Sequence, residues 1–228
     1  MPKVSVNGLQ LYYEIEGDGA PLVLIPGFAA GRWIWFKQTA ELSRSFRVII
    51  FDPRGIAASD KPEGAQTIAL LADDVAHLLQ TIGIESAHIV GASFGGFVAQ
   101  EFALKYPAMT RKLVLCCTSF GGPNHVVPEQ RIIDPIVHLR ATNEVPEHIY
   151  SSQLQAAMSF DAESRLGQIA ASTLVLSGDA DVIVPVQNSR NLAAKIPGAK
   201  LQIVEGGSHT FFIEQAAEFN HVLSDFLL

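Results

Sequence analysis

The sequence predicts an α/β fold in which helices flank a mostly parallel sheet of about eight strands. Short runs of β-branched and apolar residues alternate along the chain with longer amphipathic segments, as expected of βα units. Most of these amphipathic segments end at a glycine or a proline. With 228 residues, 48% of them hydrophobic, the chain can bury a substantial core.

The strand candidates begin with a hairpin about the turn residues Asn7 and Gly8, formed by residues 3–6 and 9–14. Six further apolar runs follow, each short enough for a buried strand. They are residues 22–25, 47–51, 88–90, 113–116, 174–176 and 202–204.

Four amphipathic segments are predicted as flanking helices. The first is residues 68–82, where apolar side chains recur every three or four positions and Gly83 supplies a C-cap. The others are residues 94–106, 186–196 and 213–228, of which the first two are followed by Pro107 and by Pro197.

The interval from 121 to 167 breaks this rhythm, because 47 residues separate two strands there. That is too long for a bare loop. Pro128, Pro135 and Pro146 divide it, and the pair Pro146-Glu147 is a typical helix start. We therefore expect residues 1–120 and 168–228 to form the core and residues 121–167 to form a small helical cap.

Charge and cysteine content exclude several classes of function. The chain has 16 Lys and Arg against 23 Asp and Glu, a net charge of −7, so nucleic acid is not an expected partner. It has no apolar stretch of about 18 residues, and residues 1–6 lack the apolar core of a signal peptide. Cys116 and Cys117 are adjacent, which predicts buried thiols at a strand end and no disulfide framework. We expect a cytoplasmic protein that does not bind membranes.

The strongest motif for catalysis is Gly-Ala-Ser-Phe-Gly at residues 91–95, between an apolar strand and a helical segment. A serine at such a sharp turn has its hydroxyl lifted clear of the sheet, and the glycines allow the close approach of strand and helix. Ser93 is therefore the candidate nucleophile, and the backbone N–H of Phe94 points toward a developing oxyanion. The alternative is a glycine-rich turn whose serine only caps the helix.

A serine nucleophile needs a neutral histidine as its base. His209 follows the last predicted strand in a loop before the C-terminal helix, which makes it the best of seven histidines. The other six are expected to be solvated or packed. Three of them lie outside the cap, namely His77, His88 and His221, and three lie in it, namely His125, His138 and His148.

The carboxylate that orients the base should follow the preceding strand. Residues 177–185, Ser-Gly-Asp-Ala-Asp-Val-Ile-Val-Pro, offer Asp179 and Asp181. The spacing along this loop does not decide which of the two aspartates is the acid.

These motifs resemble those of the capped α/β-hydrolase superfamily over most of the chain. The family pattern Gly-x-x-Asp-x-x-Val-Pro selects Asp181 as the acid, which gives the order Ser93, Asp181, His209. Residues 21–28 resemble the family's oxyanion turn, so the resemblance implies Phe28 N–H as the second donor. Pro26 stands where the family usually has a histidine that braces this loop.

The resemblance implies a serine hydrolase of small carboxylic esters or lactones, without a cofactor or a metal. Arg54 lies in a segment similar to the family's Asp-x-Arg-Gly motif and should have a structural role. C–C bond hydrolysis, perhydrolysis and a sensor role with the same three residues remain alternatives, as does a scaffold with a degenerate site. Assembly into a homo-oligomer is also left open.

Residues 154–161 are similar to the end of the cap in enol-lactonase-like members. The candidates for an apolar acyl pocket are Phe28, Trp33, Trp35, Phe94, Phe120, Met158 and Phe160.

Overall fold

The computed structural model describes residues 2–128 and 144–228. Within them, eight strands form one sheet in the order β1-β2-β4-β3-β5-β6-β7-β8. The hairpin strands pair antiparallel, β2 also pairs antiparallel with β4, and all the other neighbours are parallel. The predicted mostly parallel sheet is therefore confirmed. The strands are β1 Lys3–Val6, β2 Leu9–Glu16, β3 Ala20–Ile25, β4 Phe46–Phe51, β5 Ala87–Ala92, β6 Thr110–Cys116, β7 Ser172–Gly178 and β8 Lys200–Val204.

The sheet is covered on both faces, and this explains why its central strands are almost wholly apolar. Every residue of β5 is buried. In β3, Val23 and Ile25 belong to the hydrophobic cluster on one face, and Leu22 and Leu24 belong to the cluster on the other face. Because side chains alternate along a strand, each central strand contributes to both halves of the core.

The predicted flanking helices are present, with one correction. The C-terminal helix, predicted as one segment from residue 213, is interrupted at Gln215, whose backbone leaves the helical region (φ −111°, ψ 43°). In the described residues the α-helices are α1 Thr39–Leu42, α2 Ile68–Thr81, α3 Phe94–Lys105, α4 Glu147–Ser159, α5 Gln187–Lys195, α6 Phe211–Glu214 and α7 Ala216–Leu227.

Helix α4 is the one that begins at the Pro146-Glu147 pair, with Pro146 as its N-cap residue. A short antiparallel bridge between Gly121 and Asp161 brings together the two ends of the segment that contains it. Pro135 and His138 lie outside the described residues. The division into a core and a cap spanning 121–167 stays a prediction.

Arg54 has the structural role that the sequence predicts. Its guanidinium donates two hydrogen bonds to the carboxylate of Asp74 on α2, at 2.5 and 2.6 Å, and both side chains are buried. This paired geometry joins the loop after β4 to α2. None of the helices described has the length and apolar character needed to cross a bilayer.

Candidate active site

Ser93 lies in a sharp turn between β5 and α3. Its backbone has φ 53° and ψ −119°, a conformation that residues with a side chain rarely adopt. Two hydrogen bonds hold this turn: Ser93 N–H donates to Cys116 O at 2.9 Å, and the hydroxyl of Thr118 donates to Ser93 O at 2.8 Å. The serine side chain is thereby held at the carboxyl edge of the sheet.

The two glycines around Ser93 are required by close backbone contacts. A Cβ on Gly91 would lie 2.2 Å from Gly95 O, and a Cβ on Gly95 would lie 2.4 Å from Ile25 O. Both separations are far below van der Waals contact. The Gly-Ala-Ser-Phe-Gly motif is thus explained by the packing of α3 against β5 and the end of β3.

The structure brings Ser93, His209 and Asp181 into one hydrogen-bonded chain. His209 Nε2 lies 3.0 Å from Ser93 Oγ, and His209 Nδ1 lies 2.8 Å from Asp181 Oδ2. A carboxylate only accepts hydrogen bonds, so it favours the tautomer with the proton on Nδ1. The lone pair of Nε2 then faces the serine hydroxyl, which is the arrangement that a base requires.

Asp181 is itself fixed by the loop after β7. Its Oδ1 accepts hydrogen bonds from the N–H groups of Ile183 and Val184, both at 2.9 Å, and its side chain is fully buried. Asp179, the alternative that the sequence left open, instead accepts a hydrogen bond from Gly206 N–H at 2.7 Å. Asp181 therefore contacts His209, and Asp179 joins two loops.

Cys117 lies beneath this chain, and its sulfur, the Asp181 carboxylate and the His209 ring are all within 4.8 Å of one another. Three such groups could in principle hold a metal ion. However, burial raises the pKa of the Cys117 thiol well above its usual value, and the charge of Asp181 raises it further. These surroundings favour the protonated thiol over the thiolate, which is the form that acts as a nucleophile or a metal ligand.

The backbone around Phe28 and Phe94 faces the same edge of the sheet. Helix α3 begins at Phe94, so the N–H of Phe94 has no acceptor within the helix. A Cβ on Gly27 would be 3.6 Å from Ser93 Cβ, which places the turn after β3 directly beside the serine. The rings of Phe28 and Phe94 meet edge to face, with centroids 5.9 Å apart. The role of these two N–H groups as oxyanion donors stays a prediction.

A cavity of about 180 Å³ opens at Ser93. Its lining is largely apolar and carries no charged side chain among the residues described. The lining residues are Phe28, Ser93, Phe94, Phe97, Thr118, Ser119, Leu154, Ala157 and Val184.

The predicted pocket lining was therefore mostly wrong, since of the seven aromatic and methionine candidates only Phe28 and Phe94 line this cavity. Trp35 and Phe120 are wholly buried in the core. The other three are also elsewhere: Met158 is 79% exposed, Trp33 borders a groove on another part of the surface, and Phe160 stacks on Phe97. The sequence does contain a signal that Phe97 belongs to the lining: it follows Phe94 by three residues, which places both rings on one face of α3.

The remaining histidines in the described residues have other contacts. His125 Nδ1 lies 2.6 Å from Gly122 O, His148 lies 3.8 Å from Glu63, and His221 pairs with Asp225 on α7. His88 is buried in β5, and desolvation, together with nearby Arg111 and Lys112, lowers its pKa to about 4. His77 lies on α2.

Comparison with known families assigns the chain. The family model described as alpha/beta hydrolase fold matches residues 20–169, and a second model, described as TAP-like protein, matches residues 153–228. The chain belongs to the α/β-hydrolase fold family. The elbow at Ser93 and the loops that carry Asp181 and His209 thus lie in a fold shared with known hydrolases.

Individual relatives agree with a hydrolase of this fold. The "Putative carbamate hydrolase RutD" of Azorhizobium caulinodans is 29% identical over 99% of this chain and 98% of the relative. A poly(3-hydroxyalkanoate) depolymerase of Ectopseudomonas oleovorans is also 29% identical, over 91% of this chain and 84% of the relative. Among solved structures, the enol-lactonase of Burkholderia xenovorans superposes with a TM-score of 0.87 at 27% identity, covering 99% of both chains. A hydrolase of Pseudomonas aeruginosa gives 0.89 at 27% identity, covering 99% of this chain and 97% of that one.

Proposed function

We propose that this α/β-hydrolase cleaves a small carboxylic ester or lactone through an acyl-enzyme formed on Ser93. The observation that carries the proposal is the hydrogen-bonded chain from Ser93 Oγ through His209 to Asp181, with distances of 3.0 and 2.8 Å. In this geometry a single proton transfer to His209 converts the hydroxyl into a nucleophile.

In the first half-reaction His209 Nε2 takes the proton of Ser93 while Oγ attacks the carbonyl carbon. The charge that develops on the carbonyl oxygen is stabilised by the N–H groups of Phe28 and Phe94, each worth on the order of 10²–10³ in rate. Asp181 stabilises the imidazolium that forms, and His209 then protonates the leaving alcohol. In the second half-reaction water, activated by the same histidine, releases the acid.

The lining of the cavity supports an ester with an apolar acyl group. Its described side chains are aliphatic or aromatic apart from three hydroxyls, and a charged substrate group would find no counter-ion among them. An apolar chain of a few carbons gains from burial there, at about 0.8 kcal/mol per CH₂.

Carbamate hydrolysis is a second candidate, favoured by the RutD relatives that match nearly the whole chain. It needs the same nucleophile and base, so the two candidates differ in the substrate and not in the three residues. An uncharged lining accepts a neutral carbamate ester as well as a carboxylic ester, so substrate turnover has to distinguish the two candidates.

A substrate panel distinguishes these possibilities. Purified protein is assayed with p-nitrophenyl esters from acetate to decanoate, with a set of lactones, and with aryl carbamates, beside Ser93→Ala. We expect ester or lactone turnover that is lost in Ser93→Ala, with an unchanged unfolding temperature.

Other outcomes point elsewhere. Turnover of the carbamates alone would replace the ester proposal. Absence of turnover, together with tight retention of a ligand, would favour a sensor. Cleavage of a vinylogous diketone in place of esters would favour the C–C bond hydrolase alternative. Formation of a peracid in place of ester hydrolysis would favour the perhydrolase alternative.

A further inference from the structure

The turn that carries Phe28 is held from outside the sheet. Within this turn Ala29 has a positive φ of 50°, and Ala30 N–H donates to Gly27 O at 3.3 Å. Pro26, at the start of the turn, has neither an N–H nor a polar side chain with which to hold it. A non-glycine residue at positive φ persists only where its surroundings fix it.

The fixing contact comes from Gln153 on helix α4. The side-chain oxygen Oε1 of Gln153 accepts a hydrogen bond from Ala29 N–H at 2.9 Å. Gln153 is only 2% exposed, and the two residues are 124 positions apart in sequence. The bond fixes the peptide that follows Phe28, and so restricts rotation of the peptide whose N–H is the predicted oxyanion donor.

Helix α4 is a firm support for this contact. Its buried face is Ile149, Ser152, Gln153 and Ala156, spaced as one side of a helix. Ile149 packs against Gly55 so closely that a Cβ on this glycine would lie 2.5 Å from it. The hydroxyl of Ser152 accepts a hydrogen bond from Gln66 N–H at 2.7 Å. These anchors join α4 to the loops that contain Gly55 and Gln66.

We infer that Gln153 is a positioning residue that holds the turn carrying Phe28 in the conformation required for oxyanion stabilisation. The inference rests on the proposed ester hydrolysis. A side chain of helix α4, which also contributes Leu154 and Ala157 to the cavity lining, thereby holds the peptide next to a backbone donor.

The test compares Gln153→Met with Gln155→Met. Methionine keeps the size of the side chain but removes the acceptor for Ala29 N–H. We expect kcat for a p-nitrophenyl ester to fall by about tenfold or more with KM within about twofold, since small displacements of catalytic groups are costly. Gln155→Met makes the same change at an exposed position of the same helix, away from the turn, so it should leave both kcat and the unfolding temperature close to the parent values.

A thionoester provides a readout that a merely structural role would not move. Sulfur accepts hydrogen bonds weakly, so the parent should hydrolyse the oxygen ester much faster than its thiono analogue. If Gln153 acts through the oxyanion donors, this ratio should shrink in Gln153→Met and stay at the parent value in Gln155→Met.

If folded Gln153→Met has the same kcat as the parent and the same ratio of oxygen-ester to thionoester hydrolysis, the inference is overturned while the proposed function stays intact. If Gln153→Met does not fold, Gln153→Ala takes its place with the same expectations. Failure of both to fold would show that the side chain supports the fold and would also overturn the inference. A parent without ester turnover would overturn the proposed function, and the inference with it.

Discussion

Ser93 combines a strained backbone with a contact to the His209 ring, since its Oγ lies 3.0 Å from Nε2. A non-glycine residue in such a conformation costs on the order of 1–3 kcal/mol. The hydrogen bonds from Ser93 N–H to Cys116 O and from Thr118 to Ser93 O help to offset that cost. The strained turn directs Oγ away from the sheet and toward His209.

The two neighbouring aspartates allow a matched test at this scale. Asp181→Asn leaves the shape of the site but no longer favours the Nδ1–H tautomer of His209, so we expect kcat to fall by about 10⁴. Asp179→Asn alters a carboxylate that accepts only the Gly206 N–H among the described residues, so activity should persist with a stability loss of no more than about 1 kcal/mol.

Steady-state ester hydrolysis and thermal unfolding of both variants check this prediction. Equal loss of activity in the two variants, or full activity in Asp181→Asn, would contradict the assignment of Asp181 as the acid.

At the scale of elements, the approach of α3 to the end of β3 places Ser93 beside the turn that carries Phe28. Gly95 is the point of contact, since a Cβ there would lie 2.4 Å from Ile25 O and 2.5 Å from Pro26 O. Because both of these atoms belong to the backbone, no side-chain rotation can relieve the clash. The helix or the strand end would have to move.

We therefore predict that Gly95→Ala destabilises the protein by about 1–3 kcal/mol or more and reduces ester hydrolysis together with stability. Gly167→Ala is the matched control, because a Cβ there meets nothing within 4 Å and its φ is not left-handed. Its effect on stability should stay within about 1 kcal/mol. Chemical denaturation of both variants measures the difference, and a Gly95→Ala protein as stable as the parent would contradict the packing described.

The elements were predictable from sequence where their pattern is long enough to be read. All eight strands were predicted from apolar runs, but β6 begins at Thr110 and not at residue 113, because ladder pairing such as Lys112 with Ser172 includes polar residues. Helix α1 and the 3-10 turn at Arg32–Trp35 were not predicted, since four residues are too few to show a period.

The candidate site was predictable only where its residues follow a recognisable strand. Ser93, Asp181 and His209 each follow a strand, and loops at the carboxyl ends of parallel strands meet at one edge of the sheet. The spacing of Phe94 and Phe97 shows that the two rings share a face of α3, but the pocket lining and Gln153 also depend on which faces of α3 and α4 meet, and a single sequence does not show that. The chain positions of Ala29 and Gln153 lie too far apart for any local pattern to join them.

For the whole molecule, stability should depend on pH through His88. Its pKa is lowered to about 4 in the folded protein, from an ordinary value of 6.5, by desolvation and by the nearby charges of Arg111 and Lys112. The unfolded chain therefore binds more protons between these two values. The contribution of neutral, buried His88 to folding stability is fully present above pH 6.5 and is lost as the pH falls toward 4.

His88→Leu should flatten this dependence, because it removes the titrating group and a ring Nδ1 that has no hydrogen-bond partner among the described residues. The measurement is the free energy of unfolding of parent and variant from pH 7 to pH 4. We expect the difference to move in favour of the variant as the pH falls. A difference that is constant across this range would contradict the prediction.

The fold brings together the three loops that follow β5, β7 and β8 and places Ser93, Asp181 and His209 in one hydrogen-bonded chain. The most direct test is to treat the protein with a fluorophosphonate and to locate the adduct by peptide mass spectrometry. We expect one adduct, on Ser93, that forms much more slowly in His209→Gln. An unlabelled protein, an adduct on another residue, or equal labelling of His209→Gln would contradict it.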